Sequence, residues 1–409
     1  MSRRKKTKIV ATLGPASEKV EVMEKMILSG VDVFRINFSH AEHKDVAKRI
    51  KIIRDLSERL NSNTSILADL QGPKLRVGKV EEGTVVTPGD RIDFLNGEPF
   101  VGNKEKVYMN YDNFSKDVRP GERILLDDGK LIFEVISTDK KAKVEAKVIQ
   151  GGNLKSKKGV NLPNTDISLP ALTPKDVIDA EFAIKQDVDW IALSFVRNSE
   201  DILDLRKLIE EHSDHKIPII AKIEKPEGIE NIDKIISYCD GLMVARGDLG
   251  VEIPMAEVPL VQKMLVRKAK EAKIPVIIAT QMMETMIDCQ VPTRAEVNDV
   301  ANSIMDGADA VMLSGETSVG AFPNEVIKKM REIIMSVEHS PLIQVPRVAP
   351  KVNDPERFIS DSVCHQAAVM AENINARVIS TLTYSGYTAF QISAWRPKSH
   401  IFVYSPNKR

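Results

Sequence analysis

The segment Pro218-Ile219-Ile220-Ala221-Lys222-Ile223-Glu224 is an apolar, β-branched run that ends in charged residues. This composition predicts a buried strand, and the two-residue alternation of a strand places Lys222 and Glu224 on one face. A second apolar run, residues 242–245, leads into Arg246-Gly247-Asp248 after a stretch long enough for a helix. The sequence therefore predicts a lysine and two carboxylates at the ends of neighbouring strands.

Glu224 and Asp248 are candidate ligands of a metal ion. Carboxylate oxygens suit a hard divalent cation such as Mg²⁺ or Mn²⁺, and two of them leave other positions open for water and a phosphate-bearing substrate. The alternative is a surface ion pair between Lys222 and Glu224, because most charged residues are simply solvated. A second carboxylate at the next strand end favours the metal and anion site.

The pattern of an apolar run followed by polar residues recurs along the chain and alternates with helical patterns. Amphipathic helices are predicted at 44–60, 199–211 and 260–272. Strands are predicted at 8–13, 31–38, 65–70, 190–196, 218–224, 242–245, 275–280 and 308–313. Eight strands predict a closed (β/α)₈ TIM barrel of the α/β class, with its active site on the loops after the strands. A doubly wound open sheet is the alternative, and it would also place ligands at carboxyl strand ends.

A long insertion, residues 72–165, separates the third predicted strand from the fourth. Its sequence pattern predicts an all-β structure. Short strands are predicted at 85–86, 92–94, 124–126 and 131–133, and Asp128-Gly129 predicts a hairpin between the last two. An insertion after a barrel strand lies on the catalytic face, so we expect a β-barrel lid domain that excludes water. The alternative is an insertion without a catalytic role.

The pattern changes again at Pro341, Pro346 and Pro350, which predict a linker. A helix at 358–373, a strand at 378–382, a second helix and a strand at 400–404 follow. The predicted domains are thus a barrel of residues 1–71 and 166–342, a lid of residues 72–165 and an α/β unit of residues 343–409. Two strands and two helices are few for an independent core, so this last unit is expected to lean on the barrel or to be incomplete.

Composition narrows the choice of partners. The 409 residues include 58 basic and 58 acidic side chains, a balance that favours neither nucleic acid nor a membrane surface as a partner. The basic start, residues 3–6, precedes an apolar run too short for a signal peptide, and no stretch approaches the roughly 18 residues that span a bilayer. Cys239, Cys289 and Cys364 are few and odd in number, which argues against a disulfide framework. We expect a cytoplasmic protein.

The second predicted strand carries a further cationic side chain. Phe34, Ile36 and Phe38 alternate with the polar residues Arg35, Asn37 and Ser39, so the polar set shares a face toward the barrel mouth. A plug of polar residues would explain Asn37 and Ser39. It explains Arg35 poorly, since a guanidinium at a barrel mouth requires a phosphate or carboxylate partner.

Several segments, taken together and in this order, resemble the pyruvate kinase family: residues 7–17, 35–40, 220–226, 244–249 and 279–282. The strongest motif is Ile-x-Lys-Ile-Glu around Lys222 and Glu224, and the resemblance covers nearly the whole chain. It implies transfer of the phosphoryl group of phosphoenolpyruvate to ADP, giving pyruvate and ATP in the final step of glycolysis. It also implies two divalent ions, Mg²⁺ or Mn²⁺, in the working complex.

The resemblance also implies roles for the residues at the strand ends. Glu224 and Asp248 would hold the first ion, and Lys222, assisted by Arg35, would contact the transferring phosphoryl group. Backbone N–H groups at Arg246, Gly247 and Asp248 would cradle the substrate carboxylate. Thr280 would take part in proton transfer through water, because a hydroxyl alone is a poor acid. A buried threonine bonded to a backbone carbonyl is the structural alternative for Thr280.

For the nucleotide, which would bring the second ion, the resemblance points to five residues: Pro15, Asn37, His40, Arg76 and Lys158. Lys158 belongs to the basic run 155–158, and a solvated charged loop is the alternative there. A second set matches the K⁺ site of many family members: Asn37, Ser39, Asp69 and the carbonyl of Leu70. Leu70, Gln71 and Lys74 resemble the K⁺-independent branch, and the Lys74 ammonium could supply the missing positive charge. We predict that K⁺ is not required.

Near the end of the chain, Thr383, Ser385, Gly386 and Thr388 resemble a family loop that binds a sugar phosphate effector. A plain strand-to-helix turn is an equal alternative, and allosteric control is doubtful because the family domain continues beyond the length found here. The family forms tetramers, so a homo-oligomer is expected, although the shortened unit puts one subunit contact in doubt. Two other functions remain open: a carbon–carbon lyase barrel with a similar metal pair, and a catalytically silent scaffold.

Overall fold

The computed structural model describes residues 5–39, 41–163, 165–340, 349 and 355–406. The strands are β1 Lys8–Thr12, β2 Val33–Asn37, β3 Ser65–Asp69, β4 Val85–Val86, β5 Arg91–Leu95, β6 Lys106–Tyr108, β7 Arg123–Leu126, β8 Leu131–Thr138, β9 Lys143–Gln150, β10 Gly152–Asn153, β11 Val160–Asn161, β12 Trp190–Leu193, β13 Ile219–Ile223, β14 Gly241–Ala245, β15 Val276–Ala279, β16 Ala310–Leu313, β17 Val378–Leu382 and β18 His400–Tyr404. The helices are α1 Val20–Ser29, α2 His43–Arg59, α3 Phe114–Asp117, α4 Pro174–Lys185, α5 Ser199–His212, α6 Pro226–Glu230, α7 Ile232–Tyr238, α8 Arg246–Glu252, α9 Val258–Ala272, α10 Arg294–Asp306, α11 Gly315–Ser318, α12 Pro323–Glu338, α13 Pro355–Asn373 and α14 Tyr387–Ala394, with 3₁₀ turns at Met255–Glu257 and Glu284–Ile287.

Eight parallel strands close into a barrel in the order β1-β16-β15-β14-β13-β12-β3-β2. The pairing of β1 with β16 closes the ring and rules out the open sheet. All eight predicted strands are present, although six of them end one to three residues earlier than the apolar pattern suggested. Strand β12 stops before Phe195 and β15 stops before Thr280, because these residues have positive φ angles of 55° and 70° that no strand accommodates.

The two faces of each barrel strand differ as the alternation predicts. On β2, the side chains of Phe34, Ile36 and Phe38 are buried in the apolar layer between strands and helices. The inward positions form a separate small cluster that includes Val10, Ile220 and Met243. Burying a large apolar side chain contributes about 1.5–3 kcal/mol, so the outer layer supplies most of the stabilisation and leaves the mouth available for polar residues.

The point where the insertion leaves the barrel is fixed by a helix cap. Thr173 and Asp176 form a capping box at the start of α4, and Asp176 Oδ1 also accepts a 3.1 Å hydrogen bond from the backbone N–H of Gly72. Gly72 has a φ of +69°, and a Cβ there would lie 2.8 Å from Ser194 Cβ. A glycine is therefore required where the chain turns from β3 into the insertion.

The insertion is all-β, as predicted, with an apolar core of its own. A six-stranded sheet runs in the order β11-β7-β8-β9-β5-β6, and β4 pairs with β10. Phe94 and Phe133 pack edge to face in its core with ring centroids 5.3 Å apart. The predicted hairpin joins β7 to β8 through Asp127, Asp128 and Gly129, which all have positive φ angles. Strands β6, β9, β10 and β11 were not predicted.

The last unit pairs β17 with β18 in parallel and packs α13 against α14. It leans on the barrel through ion pairs: Arg396 NH2 lies 2.7 Å from Asp309 Oδ1, and Lys273 Nζ lies 2.6 Å from Asp361 Oδ2. The three prolines of the predicted linker lie outside the described residues. Within the part of the chain that the structure describes, no helix is long and apolar enough to cross a membrane.

One buried lysine at this junction gives a testable pH dependence. Burial, together with the charge of Arg396, lowers the pKa of Lys270 to about 8 although Asp309 is close by. The unfolded chain therefore binds more protons than the folded one between pH 8 and the ordinary lysine pKa of 10.5, so stability rises with pH across that window. We expect Lys270→Met to remove about 3 kcal/mol of this rise. Urea unfolding at pH 7.5 and 10.5 measures it, and exposed Lys207→Met is the control. An unchanged pH dependence in Lys270→Met would contradict the assignment.

Candidate active site

The C-terminal mouth of the barrel gathers charged side chains from three strands around Lys222. Lys222 Nζ lies 3.1 Å from Asp69 Oδ1 and 3.1 Å from Glu224 Oε1. On its other side, Arg35 Nε lies 2.5 Å from Asp69 Oδ2. Asp69 and Glu224 are each 1 % exposed and Lys222 is 9 % exposed, so this is a buried cluster and not a surface ion pair.

Attraction between the opposite charges of the cluster offsets the cost of burying them. Burial alone would raise the pKa of Asp69, but the charges of Arg35 and Lys222 outweigh it and lower that pKa. Burial would likewise lower the pKa of Lys222, yet Asp69 and Glu224 raise it. Both groups are therefore ionised at neutral pH.

The pKa of Glu224 shifts in the opposite direction to that of Asp69. Burial raises its pKa, and the nearby charge of Asp248 raises it further, although Lys222 lowers it. Glu224 Oε2 accepts a 2.7 Å hydrogen bond from the backbone N–H of Phe195. Asp248 lies in α8 and lines a cavity of about 40 Å³ beside the mouth.

Two carboxylates placed so that the charge of Asp248 raises the pKa of Glu224 are a donor set that fits a divalent cation. Among the described residues no group of three or more His, Cys, Asp and Glu side chains forms a complete metal site. Two carboxylates fill only part of the six or more coordination positions of such an ion, which would leave the others open for water or substrate. That is the arrangement expected of a catalytic Mg²⁺ or Mn²⁺ site rather than a closed structural one.

Thr280 lies beside the loop that follows β14. Its Oγ1 accepts a 2.7 Å hydrogen bond from the backbone N–H of Gly247 and donates one of 2.6 Å to the carbonyl of Ala279. Arg246 donates to the carbonyl of Thr280 at 2.8 Å and pairs with Asp299 at 2.7 Å. The N–H of Gly247 is thus hydrogen-bonded to Thr280 in this structure. The Arg246 guanidinium links the segments that follow β14 and β15.

The residues predicted for the nucleotide are spread around the rim. Pro15 is exposed in the loop after β1. Arg76 donates to the carbonyl of Lys157 at 3.0 Å, and Lys158 Nζ lies 2.7 Å from Asp127 Oδ1 in the lid hairpin. His40 lies outside the described residues. The lid therefore places Arg76 and Lys158 near each other on its own base.

The residues predicted for a monovalent ion are partly engaged with one another. Asn37 Oδ1 accepts a 3.1 Å hydrogen bond from the Ser39 N–H, and the Leu70 carbonyl accepts one of 2.7 Å from Ser194 Oγ. Asp69 is paired as described above. Lys74 lines the same small cavity as Asp248. Its backbone N–H donates a 2.8 Å hydrogen bond to the Gly72 carbonyl, whereas its ammonium makes no hydrogen bond or ion pair to the residues that the structure describes.

The candidate effector loop is bonded mainly to itself. The Gly386 N–H donates to Thr383 Oγ1 at 3.0 Å, and Thr381 and Thr388 share a hydrogen bond of 3.1 Å. The Tyr387 N–H lies 3.5 Å from Ser385 Oγ, and Gly386, with a φ of +80°, precedes α14. This is the geometry of a strand-to-helix turn, which leaves the effector role as a proposal.

Several residues that contact the site were not found from sequence. Ser194 Oγ accepts a 2.6 Å hydrogen bond from Lys222 Nζ. Thr12 Oγ1 accepts one of 3.1 Å from Arg35. Ser194 follows β12 and Thr12 ends β1, so their place at the C-terminal ends of barrel strands is the signal that could have found them.

A closed barrel that gathers two cations and three carboxylates at its C-terminal mouth, beneath a β lid, defines an enzyme of the (β/α)₈ class. Comparison with known proteins agrees. Residues 4–327 match the model "Pyruvate kinase, barrel domain", and residues 361–409 match "Pyruvate kinase, alpha/beta domain". The chain belongs to the pyruvate kinase family, and it is a phosphotransferase.

The similarity extends over the whole chain. It is 43% identical to pyruvate kinase of Staphylococcus haemolyticus over 405 residues, covering 99% of this chain and 69% of the relative. It is 41% identical to that of Corynebacterium glutamicum, covering 99% of this chain and 83% of the relative. The crystal structure of a pyruvate kinase from Cryptosporidium parvum superposes with a TM-score of 0.90 at 35% identity, covering 98% of this chain and 83% of that one. This membership argues against the lyase and silent-scaffold alternatives.

The buried cluster makes a stability prediction. Asp69→Asn leaves Arg35 and Lys222 close together without the carboxylate that joins them, and breaking a buried pair costs about 3–5 kcal/mol. We expect the free energy of unfolding in urea to fall by that amount. Asp45→Asn, at a surface pair with Lys48, should change it by less than about 0.5 kcal/mol. Equal effects of the two substitutions would show that the cluster contributes no more than surface charges do.

Proposed function

We propose that the cluster at the C-terminal mouth transfers the phosphoryl group of phosphoenolpyruvate to ADP, with Lys222 contacting the transferring group. The observation that carries this assignment is the buried Lys222 ammonium, 3.1 Å from both Asp69 and Glu224, with Arg35 on the far side of Asp69. A fixed ammonium in a site shielded from water stabilises negative charge far more than it could in bulk solvent. Arg35 contributes a second fixed positive charge.

The balance of charge at the mouth supports an order in which the metal ion binds before the substrate. Asp69, Glu224 and Asp248 outnumber the cations Lys222 and Arg35, so the mouth without metal does not attract an anionic substrate. Glu224 and Asp248 would hold Mg²⁺ or Mn²⁺, and the bound ion would neutralise charge on the substrate's carboxylate and enol oxygen. With a metal ion held by these two carboxylates, the mouth would attract an anionic substrate.

Arg246, Gly247, Asp248 and Thr280 form the proposed pocket for the substrate carboxylate. Thr280 Oγ1 bonds both the Gly247 N–H and a carbonyl, so its hydroxyl is held in one orientation beside the mouth. A hydroxyl held in this way can orient a water molecule that protonates the enolate. Arg246, bonded to Asp299 and to the Thr280 carbonyl, holds the strand end in place.

The nucleotide is proposed to bind between the barrel rim and the lid, with a second divalent ion. Arg76 and Lys158 on the lid base, together with Pro15, Asn37 and His40 from the barrel, would form this site. Lys158 is paired with Asp127, which lowers the pKa of that carboxyl chiefly through the hydrogen bond between them. A phosphate group would have to compete with Asp127 for the lysine, so this part of the site would rearrange on binding.

The remaining assignments concern organisation. We propose a barrel of residues 1–71 and 166–342, a lid of 72–165 and a C-terminal unit of 343–409, supported by separate apolar clusters in barrel and lid. A cytoplasmic location, assembly into a homo-oligomer, and effector binding by Thr383, Ser385, Gly386 and Thr388 remain predictions from the sequence.

Lys222→Met tests the proposed catalytic role. Removing the ammonium should lower kcat for pyruvate formation at least about a hundredfold, because that is the effect of losing one fixed group that stabilises a developing charge. A coupled assay with Mg²⁺ and ADP measures the rate, and circular dichroism checks the fold. The surface substitution Lys207→Met is the matched control. Retention of near wild-type kcat in Lys222→Met would remove the lysine from the mechanism.

A second experiment tests independence from K⁺. With tetramethylammonium as the sole monovalent cation, we expect kcat to stay within about twofold of its value in K⁺, because the Lys74 ammonium supplies the charge. Lys74→Glu should create a requirement for K⁺, whereas Lys79→Glu, an exposed position nearby, should not. Strong activation of the unmodified protein by K⁺ would disprove the proposal.

A further inference from the structure

A second buried ion pair lies directly behind the proposed metal ligands. Lys225 follows Glu224 in the chain, and its Nζ lies 2.9 Å from Glu252 Oε2. The side chains of Lys225 and Glu252 are 6 % and 1 % exposed. Neither residue has a role in the chemistry described above, so the burial of this pair needs another explanation.

The pair joins the two segments that follow the paired strands β13 and β14. Glu224 and Lys225 directly follow the end of β13. Glu252 is the last residue of α8, one turn after Asp248. The ion pair therefore ties together the segments that hold the two proposed metal ligands.

The same pair reaches the base of the lid. Glu252 Oε1 accepts a 2.9 Å hydrogen bond from Asn161 Nδ2 on β11, and Lys225 Nζ lies 3.3 Å from the Leu162 carbonyl. The hairpin of the lid also approaches α8, since a Cβ at Gly129 would lie 3.9 Å from Val251 Cγ1. Three segments, two from the barrel and one from the lid, thus converge on one buried carboxylate.

We infer that Lys225, Glu252 and Asn161 form a brace that sets the spacing between Glu224 and Asp248 and couples this spacing to the base of the lid. These are positioning residues for the metal site. Lys225, Asn161, Glu252 and Asp248 line the same cavity of about 40 Å³, so a shift of the brace changes the wall that Asp248 faces. The inference rests on the proposed function of Glu224 and Asp248.

Charge alone and positioning predict opposite results for Lys225→Met. Removing a cation near a divalent metal ion should strengthen binding of the ion if Lys225 acts only through its field. If Lys225 positions the two loops, removing it should weaken binding, because the carboxylates lose their fixed separation. We expect the dissociation constant for Mn²⁺, measured on the whole chain by electron paramagnetic resonance, to rise about tenfold in Lys225→Met.

Further variants keep the test decisive. Lys225→Met with Glu252→Gln removes both charges together, so no unpaired carboxylate stays buried, and it should weaken Mn²⁺ binding to a similar extent. Lys225→Arg should restore most of the affinity. Lys273→Met removes a comparable pair with Asp361 at the C-terminal junction, and it should leave Mn²⁺ binding unchanged. Thermal unfolding confirms that each variant is folded.

The outcomes separate this inference from the proposed function. If Glu224→Gln leaves Mn²⁺ binding intact, the proposed metal site is wrong. If Glu224→Gln abolishes binding while Lys225→Met and the double variant bind Mn²⁺ as well as or better than the unmodified chain, the metal site stands and the brace is refuted. Weaker binding in both brace variants, restored by Lys225→Arg, supports the brace.

Discussion

The central constraint in this structure is the burial of the Lys222 ammonium at the mouth of a closed barrel. An ammonium removed from water requires opposite charges within a few ångströms. Glu224, just past the end of the same strand, and Asp69, at the end of β3 two strands away, supply them. Arg35 then balances Asp69 from the other side. Parallel strands that all end at one rim allow four such groups to meet, although they come from distant parts of the chain.

The cluster is stable for reasons that also suit catalysis. Asp69 is kept ionised by two cations, whereas Glu224 is buried near Asp248 and has a raised pKa. A site that has more carboxylates than cations, one of them with a raised pKa, favours the binding of a divalent cation. Fixed charges of this kind need no rearrangement when negative charge moves during phosphoryl transfer.

The lid and the barrel are connected where that chemistry takes place. Gly72 turns the chain out of β3 beside Asp69, and its N–H is held by the cap of α4. The return strand β11 reaches the loops after β13 and β14 through Asn161, Lys225 and Glu252. Both ends of the insertion are therefore anchored to the segments that carry charged residues. A motion of the lid would shift these segments at the mouth.

Much of the architecture could be predicted from local patterns. The eight apolar runs, the all-β insertion with its Asp128-Gly129 hairpin and the alternation on β2 were all readable, because burial imposes a period of two on a strand. Strand ends were less accurate at Phe195 and Thr280, whose positive φ angles are incompatible with a strand. Strands β6, β10 and β11 escaped prediction because they are only two or three residues long, and β9 was missed although it alternates charged residues with the buried Val144, Ala146 and Val148.

For the site, the sequence by itself determined which side chains stand at strand ends: Lys222, Glu224 and Asp248 are there because an apolar run must stop where the strand leaves the core. Only the tertiary structure decided their partners. Ser194 against Lys222, Asp127 against Lys158 and Glu252 against Lys225 are pairs separated by many residues. Closure of the barrel and the return of the lid bring them together, and no local pattern encodes a contact between segments that meet only when the ring closes.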